Sequence, residues 1–153
     1  MSEIVTAHPS GGYILEELHI GMVAEKAVDI TEARIAQFAE ASDDFNPVHM
    51  DEAFAVRTAY RGRIAHGLLS ASIGSAVVGT ILPGAGAIFL SQTLSFRAPV
   101  RIGDVLVARV TVAEVDPESA RVTLTAEGLV NGEVVMEGQA LVRVPRRRRP
   151  ARG

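Results

Sequence analysis

An α+β fold is predicted for this 153-residue chain, and three observations predict it. Apolar residues at helical spacing belong to the first half. The second half holds four segments rich in Val, Leu, Ile and Thr, two of which alternate with period two. Turn residues separate those segments, and Asn131-Gly132 is a strong hairpin signal. Helices followed by an antiparallel meander give an α+β order, with the sheet packed on the most apolar helix.

The elements follow in chain order. Met22 to Ile30 reads as a strand or extended entry segment. Thr31 is an N-cap and Glu32 a favourable first-turn acid for a helix to about Ser42, in which Ile35, Phe38 and Ala39 form the buried side. Asp44-Phe45-Asn46-Pro47-Val48-His49 ends that helix, because Pro47 fixes its own φ and drives Asn46 out of the helical region. Asp51 can cap a short helix over Glu52 to Thr58, and Tyr60 to Arg63 is a loop around Gly62. Gly67 to about Leu82 is apolar nearly all round, the mark of a buried helix, and Pro83-Gly84 terminates it. Its small residues let backbone or ligand approach closely. The strands expected are Ala87 to Phe96, Asp104 to Val115, Ala120 to Leu129 and Glu133 to Val144.

Composition narrows the function classes. No apolar run is long enough to cross a bilayer, and Met1 to Gly12 lacks the basic and apolar regions of a secretory signal. There is no Cys, so disulfides, thiolate metal sites and thiol nucleophiles are excluded and a cytoplasmic location is the default. Five of the fifteen basic residues lie after Val144, which leaves the body at about −8. An acidic body argues against nucleic-acid binding. One domain, residues 1–144, is expected, followed by an Arg-rich tail, 145–153, whose charge and Pro content predict disorder. A nucleic-acid, acidic-protein or anionic-lipid contact through that tail is the sharper alternative. Lys26 is the single lysine and lies far from the motif, on the predicted first strand.

The concentrated chemistry lies between Asp44 and Ser75. Asp44 and His49 flank the Asn46-Pro47 bend, which can aim a carboxylate and an imidazole into one cleft around a bound water. His66-Gly67 follows and opens the apolar helix. Taken alone, Asp44 is an ordinary turn residue, as Asp43 is, and His49 a structural histidine.

Together with Phe54-Ala55, Ile64-Ala65-His66-Gly67-Leu68-Leu69, Leu94-Ser95-Phe96-Arg97-Ala98-Pro99-Val100 and Gly103-Asp104, this motif resembles the MaoC-like dehydratases, and among them the single-domain (R)-specific enoyl-CoA hydratases. The resemblance spans Met22 to Val144. It implies a hotdog fold, a curved antiparallel sheet wrapped around a long central helix (Gly67 to Leu82), and a homodimer in which two sheets join. It implies reversible hydration of a trans-2-enoyl-CoA to the (3R)-hydroxyacyl-CoA. Carried over by position, the catalytic residues are Asp44, His49 and the Gly67 N–H. The resemblance also implies an active-site contact for Ser75 and a dyad-shaping role for Asn46. His66 orients Gly67, caps the helix or touches substrate. The acyl-CoA is the expected partner, with acyl carrier protein as an alternative carrier. Arg97 and Arg101 are candidates to meet its phosphates, and Tyr60 and Arg63 flank the pocket mouth or serve the surface. No metal or other cofactor enters the scheme.

The chemistry explains the residue types. Water must lose a proton as it attacks C3, C2 must gain one, and the thioester oxygen must be stabilised. Two coupled acid–base groups serve the first two needs, and the sequence leaves open which is the base. A glycine N–H at a helix N-terminus serves the third. Competing readings are weaker. Asp44, His49, Asp51 and His66 contain no closely spaced metal-binding His pair. Gly74-Ser75 lacks the flanks of a nucleophile elbow. Pro83-Gly84-Ala85-Gly86 is not followed by the Lys-Ser/Thr of a phosphate loop. A non-catalytic acyl-thioester-binding module and a branched or dicarboxylic acyl-CoA dehydratase remain as alternatives.

Overall fold

A computed structural model describes residues 2–150. The order is β1 (Glu3–Ile4), a 3-10 turn (Leu15–Glu17), β2 (Met22–Asp29), α1 (Glu32–Ser42), α2 (Pro47–Met50), α3 (Glu52–Ala55), α4 (Gly67–Thr80), β3 (Ile88–Gln92), β4 (Ser95–Phe96), β5 (Val105–Asp116), β6 (Arg121–Val130) and β7 (Glu133–Arg143). One seven-stranded sheet runs β1-β2-β5-β6-β7-β3, with β4 also on β7. All pairs are antiparallel except β1 with β2.

The long strands form where alternation predicts them. In β5, Leu106, Ala108, Val110 and Val112 are buried, and the residues between them are not. Val122, Leu124 and Ala126 do the same on β6. All of these side chains except Ala126 share one core with Leu69, Ile73, Val77 and Val78 of α4. Helix α4 packs on β2, β5, β6 and β7, so the sheet wraps around it. Each fully buried Leu, Ile or Val contributes about 1.5–3 kcal/mol relative to exposure. Asn131 (φ 51) and Gly132 (φ 78) both take positive φ in the β6–β7 turn, as a tight two-residue hairpin demands.

Three boundaries differ from the expected ones. The segment Ala87 to Phe96 is two strands, because Thr93 leaves the ladder: its N–H donates to the Gln139 carbonyl and its Oγ1 accepts from the Gln139 N–H. Helix α4 ends at Thr80 before a cis Leu82–Pro83 peptide. Helix α3 stops at Ala55, where the Thr58 Oγ1 donates to the Ala55 carbonyl. Strand β1 was not expected; it is two residues long and has no alternating pattern to read.

The beginning of the Arg-rich segment lies against the body. The Leu15 N–H donates to the Pro145 carbonyl at 2.8 Å and the Arg147 N–H to Glu16 at 3.1 Å. The Arg146 guanidinium donates to the Glu118 carbonyl. Residues 145–150 form no regular element, and the expectation for 151–153 lies outside the described residues. Among the described residues, no helix is long and apolar enough to cross a membrane.

Candidate active site

Helix α1 starts at Thr31, whose side chain accepts from the Arg34 N–H at 3.1 Å. It ends at Asp43 in the left-handed conformation (φ 60), which Asp tolerates better than most residues. A relay of short side chains then folds the loop. Ser42 Oγ accepts from the Asp44 N–H at 3.3 Å, Asp44 Oδ1 from the Asn46 N–H at 3.1 Å, and Asn46 Oδ1 from the Val48 N–H at 3.1 Å. Pro47 is the first residue of α2, where its missing N–H costs nothing. Asn46 is thus an N-cap that shapes the loop, and it does not line the cavity described below.

Helix α2 turns His49 inward, to 9% exposure. Its Nδ1 lies 2.8 Å from the Ile64 carbonyl oxygen. A carbonyl can only accept, so Nδ1 carries the proton and Nε2 keeps a free lone pair. Burial pushes the His49 pKa below the ordinary 6.5; the Ile64 carbonyl and Asp44 act the other way, and His66 adds to the lowering. The neutral, proton-accepting form is therefore favoured.

His66 is 2% exposed and is the N-cap residue of α4. Its Nε2–H donates to the Asp44 carbonyl at 2.9 Å. Its ring lies 4.0 Å from the His49 ring with 32° between planes, and 4.9 Å from Phe38. One side-chain donor atom from each of Asp44, His49 and His66 falls within 4.8 Å of the others. That clustering is tight enough to hold one shared water. The two rings are tilted, and main-chain carbonyls already take up His49 Nδ1 and His66 Nε2.

The start of α4 lines the same cavity as the dyad. The N–H groups of Gly67 and Leu68 precede the first intrahelical bonds and have no hydrogen-bond partner among the described residues. The Phe96 ring covers Gly67: a Cβ there would lie 2.7 Å from Cε1 and 2.9 Å from Cζ. Glycine lets the ring lie this close, since a side chain there would have to push Phe96 aside. Asp44, His49, Tyr60, His66, Gly67, Leu68, Phe96 and Arg97 line one cavity of about 390 Å³.

A model of the MaoC like domain matches residues 17–133, which contain all of these groups. The chain belongs to the MaoC-like domain family. It is 48% identical over 132 residues to the 3-hydroxybutyryl-CoA dehydratase of Methylorubrum extorquens, covering 86% of this chain and 84% of the relative. It is 48% identical over 135 residues to the (R)-specific enoyl-CoA hydratase of Rhodospirillum rubrum, covering 88% and 94%. Among solved structures, R-hydratase PhaJ1 of Pseudomonas aeruginosa superposes with a TM-score of 0.83 at 39% identity, covering 89% of this chain and 88% of that one. The fold is the hotdog, its sheet wrapped around α4.

This MaoC-like domain brings Asp44, His49, His66 and Gly67 together. Ser75 lies elsewhere, in a second groove of about 420 Å³ with Leu68, Ala71, Ser72, Phe89, Gln92 and Leu94. Leu68 belongs to both cavities. The arginines separate as well. Arg97 lines the cavity while its Nε donates to Glu137 at 3.0 Å; Arg101 donates to the Tyr60 carbonyl at 2.6 Å. Arg63 is not at the surface: its side chain is 11% exposed, and its Nε–H donates to the His49 carbonyl at 2.6 Å. Sequence reasoning missed that bond and the Phe96 lid over Gly67. Neither has a local pattern, since each joins residues 14 or more positions apart.

Proposed function

We propose that this MaoC-like domain is an (R)-specific enoyl-CoA hydratase, adding water reversibly across a trans-2-enoyl-CoA to give the (3R)-hydroxyacyl-CoA. One observation carries the reading. A tautomer-fixed imidazole and a carboxylate share a cavity wall within 4.8 Å, and two free helix N–H groups line the same cavity.

The proton account closes on these groups. A water bound between the Asp44 carboxylate and His49 Nε2 gives one proton to Nε2 as its oxygen bonds C3. The C2=C3 electron pair moves toward the thioester oxygen, which the Gly67 N–H receives at the positive end of α4. The imidazolium then returns its proton to C2, and His49 is neutral again. Asp44 orients the water through its second hydrogen and stabilises the transient imidazolium.

The second groove, which shares Leu68 with the cavity, is apolar enough for the acyl chain, with Ser75 on its wall. Strand β3 is a sheet edge that exposes Ile88, Phe89 and Leu90. We assign it to a homodimer in which β3 pairs with β3 of a second copy, which would remove an apolar edge from water. A chain without Cys and with a CoA-ester substrate fits the cytoplasm. The test is decay of the conjugated thioester's ultraviolet absorbance with trans-2-butenoyl-CoA. Turnover by wild type and its loss in Asp44→Asn and His49→Ala support the reading; equal turnover by all three removes it.

A further inference from the structure

We propose that the four residues Arg63 to His66 form a strap that sets the catalytic dyad against the oxyanion donor, with Arg63 and His66 as its positioning side chains. The proposal rests on the hydratase reading and adds to it the device that fixes the distances.

Four bonds run between this strap and the dyad loop. The His66 Nε2–H donates to the Asp44 carbonyl at 2.9 Å. The Arg63 Nε–H donates to the His49 carbonyl at 2.6 Å. The Ile64 carbonyl accepts from His49 Nδ1 at 2.8 Å, and the Ile64 N–H donates to the Val48 carbonyl at 3.2 Å. Each dyad member is therefore held through its own main-chain carbonyl by one strap side chain. The next residue after the strap is Gly67. One short segment thus holds His49 from its Arg63–Ile64 end and Asp44 from its His66 end, next to the oxyanion donor.

The strap is itself anchored. The Ala65 N–H donates to the Val100 carbonyl at 2.7 Å, Arg63 Nη1 pairs with Glu32 at 2.7 Å, and the Arg63 N–H donates to Glu52 at 3.2 Å. Strap and loop are joined by part-buried bonds from two nearly buried rings and the Arg63 guanidinium, where a lost partner is costly. Misplacement of reacting groups by about 1 Å can cost 10²-fold in rate. Asp44 needs this support because its own side chain is exposed and bonded only within its loop.

Paired variants test the claim. His66→Phe keeps a flat ring and loses the donor, whereas His66→Gln keeps an N–H near the Nε2 position. Arg63→Met and Arg63→Gln both lose the charge, but Gln keeps an N–H where Arg has Nε. With trans-2-butenoyl-CoA, His66→Phe should lower kcat at least thirtyfold with KM within threefold, and His66→Gln should recover to within fivefold of wild type. Arg63→Met should fall about tenfold below Arg63→Gln. Ring nitrogen-15 spectra of His49 give a readout that needs no turnover: one Nδ1–H tautomer in wild type and the Gln variants, and averaged tautomers in Arg63→Met, which loses the strap bond to His49. The proposal is overturned if His66→Phe keeps kcat within threefold of wild type, or if Gln rescues neither position. Should His66→Phe fail to fold, the Arg63 pair decides alone. A wild type that hydrates nothing yet shows the spectral pattern would defeat the hydratase reading and leave the strap standing.

Discussion

Replacing Gly67 by proline removes the N–H assigned to the thioester oxygen and leaves that of Leu68, and the local backbone accepts it. Position 67 is the first residue of α4, the site where proline is favoured. His66 before it has φ −58 and ψ 134, an extended conformation compatible with a following proline. The remaining obstacle is contact, since a Cβ would sit 2.7–3.0 Å from three Phe96 ring atoms, against about 3.5–4.0 Å for relaxed carbons. The ring must therefore retreat by about 0.5–1.3 Å. Phe96 is 54% exposed on a two-residue strand, so the cost falls at the low end of the ~1–3 kcal/mol typical of overpacking. Gly67→Ala makes the same contact and keeps the N–H. The ratio of the two variants thus isolates the donor. Loss of one such donor typically costs 10²–10³ in kcat, about 3–4 kcal/mol. The assay is kcat for trans-2-butenoyl-CoA in both variants, with thermal melting to confirm folding. A folded Gly67→Pro within threefold of Gly67→Ala would refute the oxyanion role.

Other consequences follow from the same geometry. Asp44→Asn and His49→Ala should each lower kcat by about 10²–10⁴ with little change in melting temperature. Because burial lowers the His49 pKa, the acid limb of kcat/KM should lie below 6.5, measured as a pH–rate profile. The same group makes stability pH-dependent: its contribution is complete above 6.5 and is lost as pH falls through the lowered folded value, because the unfolded chain takes the proton first. Urea midpoints from pH 7.5 to 5 should decline accordingly. Leu90→Glu, on the exposed face of β3, should shift sedimentation from dimer to monomer, and an unchanged dimer would move the interface elsewhere.

Much of the fold was legible because it repeats. Alternation marked β5 and β6, the Thr31 cap marked α1, and Asn131-Gly132 marked the last hairpin within a residue or two. The interruption at Thr93 was not legible, since a bond to Gln139, 46 positions away, decides it. In the site, Asp44 and His49 were readable from the Asn-Pro bend between them. His49's tautomer was not, because it depends on the carbonyl of Ile64. Arg63 read as flanking the pocket mouth or serving the surface, yet two long-range bonds draw it inside. Ser75 matched a motif by position, but two helical turns of α4 carry it into the neighbouring groove.

Stereochemistry of the hydrated product probes the account most directly, because the proposed placement of water between Asp44 and His49 would expose one face of the double bond. Trans-2-butenoyl-CoA incubated with the wild-type protein and resolved by chiral chromatography should yield (3R)-3-hydroxybutyryl-CoA. Formation of the (3S) product, a racemate, or no hydroxyacyl thioester at all would contradict it.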